Sequence, residues 1–181
     1  MENTVLVKLL DHYAGPRENL LSPAQPGDAG VDIYAAEDAV ILPGERKLIR
    51  TGICLALPPG HEAQVRPRSG NALKLGLTVL NTPGTVDEGY RGEVGVIAYN
   101  ANPVVTREFV TTLLNVLTDQ EDADDLSDQF DEDSIANAIR ITRGQKIAQL
   151  VFARYVRLKP EIVTELPVSV RGEGGFGSTG V

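Results

Sequence analysis

With 181 residues, 42% hydrophobic and 23% charged, the chain has the length and composition of one globular domain able to bury a real core. A formal net charge of −8 and a pI near 4.8 argue against a general nucleic-acid binder. One cysteine, Cys54, rules out an internal disulfide, and two histidines in unrelated contexts, His12 and His61, rule out a zinc centre.

No apolar run reaches membrane-spanning length, and the opening Met-Glu-Asn-Thr lacks the basic and apolar segments of a secretory signal. The expected location is the cytoplasm, with no membrane partner. Charge is unevenly spread. Residues 101–142 hold ten acids against Arg107 and Arg140, while the rest of the chain balances 15 bases with 15 acids. An anionic substrate therefore meets a neutral body, provided the acidic segment points elsewhere.

In chain order, residues 5–10 read as a short strand, and the polar, Pro-rich stretch 11–27 as an irregular connection. Asp28-Ala-Gly-Val-Asp-Ile-Tyr-Ala-Ala follows, with small residues that let backbone approach closely. Asp32 sits there among apolar neighbours and needs a partner. Either it bonds backbone at a strand start, or it serves a polar network or a cation. Residues 39–42, 46–57 and 61–68 alternate as strands with turns at Pro43-Gly44 and Pro58-Pro59-Gly60. Cys54 lies in an apolar part of the second and reads as a small buried hydrophobe.

Arg66-Pro-Arg-Ser-Gly offers two guanidinium groups, a hydroxyl and exposed backbone donors. It reads as an anion cradle or as an ordinary basic loop. Residues 71–75 can begin a short helix aimed at the same anion. Strands at 77–80 and 93–100 bracket the Pro- and Gly-rich stretch 81–92, which reads as a hairpin turn. That turn carries Asp87, able to take a proton from water, and Tyr90, a ring and hydroxyl three residues on. The plain alternative is an Asp capping its own turn.

Residues 101–142 break the β pattern. Residues 108–117 suit a strand or a helix, and 118–133 are too acidic to pack. Ser134 then resembles an N-cap, with Ile135, Ala138 and Ile139 on one face of a short helix. The segment is a solvated surface or a docking surface for a partner. A strand at 146–156 contains one amide, Gln149, which either bonds across to a neighbour or reaches a ligand. The chain ends with five glycines in its last eleven residues, interleaved with Arg171, Phe176, Ser178 and Thr179. Those are a cation, a ring and two hydroxyls, which match a nucleotide's parts; a disordered tail is the alternative. Many short strands with regular turns predict an all-β sandwich or closed barrel.

Taken together, Asp28-Ala-Gly-Val-Asp, Pro67-Arg-Ser-Gly, Gly84-Thr-Val-Asp-Glu-Gly-Tyr-Arg-Gly, Arg143-Gly-Gln-Lys-Ile-Ala-Gln-Leu and Arg171-Gly-Glu-Gly-Gly-Phe-Gly-Ser-Thr-Gly resemble the five ordered motifs of the trimeric dUTPases. The resemblance covers nearly the whole chain outside 101–142. It implies a jelly-roll β-sandwich of residues 1–181, a homotrimer with sites shared between subunits, and hydrolysis of dUTP to dUMP and pyrophosphate with Mg2+. Such an activity keeps uracil out of DNA and supplies dUMP for dTTP synthesis. By the same resemblance Asp87 activates the water and also meets the 3′-OH, Tyr90 stacks beneath the deoxyribose, and Asn81, Gly84, Thr85, Val86 and Gly95 receive uracil. Arg68, Ser69, Gly70 and Gln149 would hold phosphates, and Asp32 would meet magnesium through water. The arm 171–181 would close a neighbour's site through Arg171, Phe176, Gly177, Ser178 and Thr179.

Two departures stand out. Gly89 occupies a position where many members carry an acid, and 101–142 replaces a usually short connection. Some phage dUTPases carry an insertion at this place and bind regulatory proteins, so a regulatory partner is implied as a possibility of this segment. Two rivals remain: a dCTP deaminase of the same fold, and a non-enzymatic nucleotide-binding module. The motif pattern and the intact Asp87, Tyr90 and arm favour the pyrophosphatase.

Overall fold

The computed structural model describes residues 4–18, 20–103 and 137–173. The described chain runs β1 (Leu6–Leu9), β2 (Gly30–Tyr34), β3 (Ala39–Ile41), β4 (Arg46–Ala56), β5 (His61–Arg66), α1 (Ser69–Leu75), β6 (Leu77–Val79), β7 (Gly84–Val86), β8 (Glu93–Asn100), β9 (Ile139–Ile141) and β10 (Lys146–Arg154). All ladders are antiparallel. They form two four-stranded sheets, β1-β4-β8-β6 and β2-β10-β5-β7, with β3 and β9 paired beside them. This is the expected all-β jelly-roll sandwich.

Period-two patterning sets which face is buried. Along β8, Val94, Val96, Ala98 and Asn100 point inward while Glu93, Gly95, Ile97 and Tyr99 point out. Ile49, Leu55 and Val96 from one sheet meet Ile33, Val65 and Leu150 from the other in a single apolar core. Each such side chain contributes about 2 kcal/mol on burial, so Ile49→Ala should cost about 3 kcal/mol.

Asn100 is the one fully buried amide described, and its bonds explain its place. Its Nδ2 donates to the carbonyls of Ile41 (2.9 Å) and Asn137 (2.8 Å), and its Oδ1 accepts the N–H of Asn102 (3.0 Å). Asn102 in turn donates to the carbonyl of Leu75 at 2.9 Å. The chain therefore leaves β8 and returns before β9 at nearly the same point, pinned by side-chain amides.

Two expectations change. Ile139 opens β9, pairing with Ile41, and does not lie on a helix. The apolar spacing of Ala138 and Ile139 fits a helix, yet the Ile139-Arg140-Ile141 alternation fits an open rung beside β3, and the ladder wins. Residues 137–142 thus belong to the β framework. The readings for 108–117 and 118–133, and for Ser134 and Ile135, lie outside the described residues. The second change concerns 81–92, which is not one turn between β6 and β8. It crosses to the other sheet, adds β7 beside β5, and returns to β8.

Candidate active site

That crossing builds the first cleft. β7 is an edge strand: it pairs β5 on one side, Val65 with Gly84 through Ala63 with Val86, and no described strand pairs its other edge. Immediately past Val86 a four-residue turn begins, closed by the Tyr90 N–H donating to the Asp87 carbonyl at 3.1 Å. Asp87 and Tyr90 are therefore the two ends of one turn. With Asn81, Gly84, Thr85, Val86, Glu93 and Gly95 they line a cavity of about 170 Å³.

Each member is placed by a specific contact. The Tyr90 hydroxyl donates to the Glu93 carbonyl at 3.0 Å, which lays its ring over Gly92. A β-carbon at Gly92 would strike that hydroxyl. Asn81 packs on Gly84, where a β-carbon would stand 3.0 Å from the Asn81 Nδ2. At Gly95 a β-carbon would meet Leu48 Cδ1 at 2.6 Å, a contact the exposed end of that leucine can relieve by moving. Gly89 has open space around it and takes no left-handed conformation, so a side chain fits there.

Glu93 anchors the floor. Its Oε1 accepts the N–H groups of Thr51 (3.1 Å) and Gly52 (2.8 Å) and faces His12 Nε2 at 2.8 Å; its Oε2 accepts from Arg50 Nε and Nη2, both at 3.1 Å. Burial pushes the Glu93 carboxyl up. The bonds from His12, Gly52 and Arg50 together outweigh it and hold the pKa at about 2.

The second cleft lies along β2, β10 and the end of β5, with a volume of about 510 Å³. Asp28, Asp32, Arg66, Arg68, Ser69, Gly70, Lys146 and Gln149 line it. Asp32 is held by two cations, Arg68 Nε at 2.8 Å and Lys146 Nζ at 2.7 Å. The open question about this residue is thereby resolved in favour of a side-chain network. Pairing with Asp32 keeps Lys146 protonated above the usual lysine range. The Gln149 Nε2 donates to the Pro67 carbonyl at 2.9 Å, bracing the cradle loop, while its side chain also lines the cleft. Helix α1 starts at Ser69, two residues earlier than expected, and ends on Gly76 in the left-handed region.

Sequence reasoning assembled both groups but missed Lys146. The available signal was a lysine heading β10, the strand that pairs Gln149 with Asp32. The predicted metal site was tested on its donors. No group of three His, Cys, Asp or Glu among the described residues can cage an ion. The Asp32 carboxylate retains acceptor capacity beyond its two cation contacts, so it fits a hydrated ion carried on a polyphosphate and not a directly bound one. Arg171 is described, whereas Phe176, Gly177, Ser178 and Thr179 lie outside the described residues. Among the described residues none lines both clefts. No helix among the described residues is long and apolar enough to cross a membrane.

Comparison with known proteins bears on this geometry. The family model described as dUTPase matches residues 17–107 and 134–180, leaving 108–133 between its segments. A deoxyuridine 5′-triphosphate nucleotidohydrolase of Clostridium novyi (strain NT) is 43% identical over 175 residues, 97% of this chain and 100% of that protein. The dUTPase of Staphylococcus bacteriophage 80alpha, solved with dUpNHpp, superposes with a TM-score of 0.75 at 30% identity, covering 99% of both chains. A dUTPase mutant of phage phi11 of S. aureus, described for the coordination of a structural Mg(II) ion, gives 0.65 at 25% identity, covering 90% of this chain and 98% of that one.

Proposed function

The chain belongs to the dUTPase family and hydrolyses dUTP, and from that premise we propose how its two clefts divide the work. Uracil enters the smaller one. The free edge of β7 offers backbone N–H and C=O groups in alternation, which suits the alternating edge of uracil and misfits cytosine, whose amino group reverses the pattern. Asn81, Gly84, Thr85, Val86 and Gly95 receive the base, and the Tyr90 ring lies beneath the deoxyribose and leaves no room for a 2′-OH.

Asp87 then accepts a proton from water as the water oxygen bonds to the α-phosphorus. The bond from that phosphorus to the α–β bridging oxygen breaks, and pyrophosphate leaves with the oxygen, giving dUMP. Asp87 is exposed and makes no side-chain bond among the described residues, so its carboxylate is available as the acceptor. Arg68, Ser69, Gly70 and Gln149 hold the phosphates, with Lys146 beside them. Mg2+ on the triphosphate would be held by Asp32 through water, where it would neutralise charge developing on the phosphate oxygens.

The separation of the clefts supports a homotrimer whose sites take the uracil cleft from one copy and the phosphate cradle from another. So does the segment beyond β10, where Val156, Leu158, Ile162, Leu166, Val168 and Val170 lie in solvent. The arm 171–181 would complete a neighbour's site. The product serves dTTP synthesis, and removing dUTP keeps uracil out of DNA. A regulatory partner for 101–142 is the second reading, favoured by its charge. Pull-downs with and without 104–136 test it, and equal recoveries remove it.

The observation that carries the main reading is Asp87 and Tyr90 at the two ends of one turn beside a free strand edge. Pyrophosphate release should be confined to dUTP among the common nucleoside triphosphates and should need Mg2+. Ammonia released from dCTP would instead favour the deaminase.

A further inference from the structure

Asp87 has no side-chain partner among the described residues, so its direction comes from its backbone. Before it, Val86 makes the last rung of the β5–β7 ladder, opposite Ala63. After it stands Glu88, whose side chain is fully engaged. One carboxylate oxygen accepts the Gly60 N–H at 2.5 Å and the other meets Arg157 Nη2 at 2.7 Å. Arg157 also donates to the Tyr155 hydroxyl at 2.8 Å and lies over that ring, 5.5 Å from its centre. The Tyr155 N–H closes the circuit by donating to the Gly60 carbonyl at 3.1 Å. Arg91 Nη1 holds the Glu88 carbonyl at 2.6 Å. Asp87 is thus a one-residue span between a strand rung and a side-chain anchor, both tied to β5.

We infer that Glu88 is a positioning residue for Asp87, acting through the Gly60 N–H, with Arg157 as a weaker brace. This rests on Asp87 being the base. The ranking follows from exposure: the Arg157 side chain is 74% exposed, and exposed ion pairs contribute little, whereas a charged acceptor on a backbone N–H is a strong bond with fixed direction. The Gly60 bond, then the Tyr155 and Arg157 contacts, hold the Glu88 carboxyl below its ordinary range, so the anchor stays charged throughout neutral pH. Tilting a carboxylate by an ångström costs rate without costing affinity.

The test uses the full chain with Mg2+ and dUTP, together with affinity for a nonhydrolysable analogue and the thermal midpoint. Glu88→Ala should lower kcat about 30-fold while KM and analogue affinity stay within about twofold. Glu88→Gln keeps the acceptor and should recover kcat to within about threefold of wild type, and Arg157→Met should lose about threefold. Glu88→Asp keeps the charge but falls short of Gly60, so it should behave as Glu88→Ala and carries the test if the alanine variant fails to fold. The inference is overturned if Glu88→Ala or Glu88→Asp keeps wild-type kcat, if kcat and analogue affinity fall together with stability, or if Glu88→Gln rescues nothing. Asp87→Asn is the reference. Full turnover by that variant defeats the base assignment, whereas an inactive Asp87→Asn beside a normal Glu88→Ala defeats this inference alone.

Discussion

Two aspartates stand on the same sheet and have opposite surroundings. Asp32, on β2, is gripped by Arg68 and Lys146; Asp87, just past β7, is exposed with no described side-chain partner. A carboxylate held by two cations is an organiser, since its bonds order the groups that will face an anion. A carboxylate left to water can accept a proton, and its aim must come from the frame beneath it. The chain therefore separates holding charge from moving a proton by giving each task its own acid.

The sharpest way to break this contrast is Asp87→Asn, which keeps shape and removes basicity. We expect kcat to fall about 1,000-fold with dUTP analogue affinity within about threefold, read by single-turnover kinetics and titration. A proportional loss of affinity would make Asp87 a binding group like Asp32. The next effect concerns the frame. Glu93 titrates at about 2 in the folded chain against its usual 4.5, so its contribution is complete above about pH 4.5 and is lost as pH falls from there toward 2. That contribution is on the order of 2 kcal/mol after screening by solvent. Urea unfolding at pH 7 and pH 3 should show the difference, and Glu93→Gln should flatten it. The smallest expected effect is at the organiser's side. Lys146→Met should raise KM for dUTP about tenfold and leave kcat within about twofold. A fall in kcat alone would place Lys146 in the chemical step.

How far residues predict structure varies along the chain for physical reasons. The strands from 39 to 66 were legible because long alternating runs end at Pro43-Gly44 and Pro58-Pro59-Gly60. β7 was hidden: Gly84-Thr-Val is three residues inside a Pro- and Gly-rich stretch, and only its pairing with β5 makes it a strand. β9 was misread because three residues cannot reveal a period. Within the site, the Asp87 and Tyr90 spacing was readable since both lie in one turn. The hold on Asp32 was not, because Arg68 is 36 positions away and Lys146 farther still. Glu88 carries no local signal of its role, since its bond to Gly60 spans 28 positions.

The uncovered apolar stretch after β10 carries a consequence for handling the protein. Ile162, Val168 and Val170 are as open to water as in an extended peptide. So large an uncovered apolar surface favours association with another protein surface. Dilution, slow expression or a shortened terminus should therefore alter colloidal behaviour before it alters the sandwich, and the first sign of trouble in a preparation would be turbidity rather than unfolding.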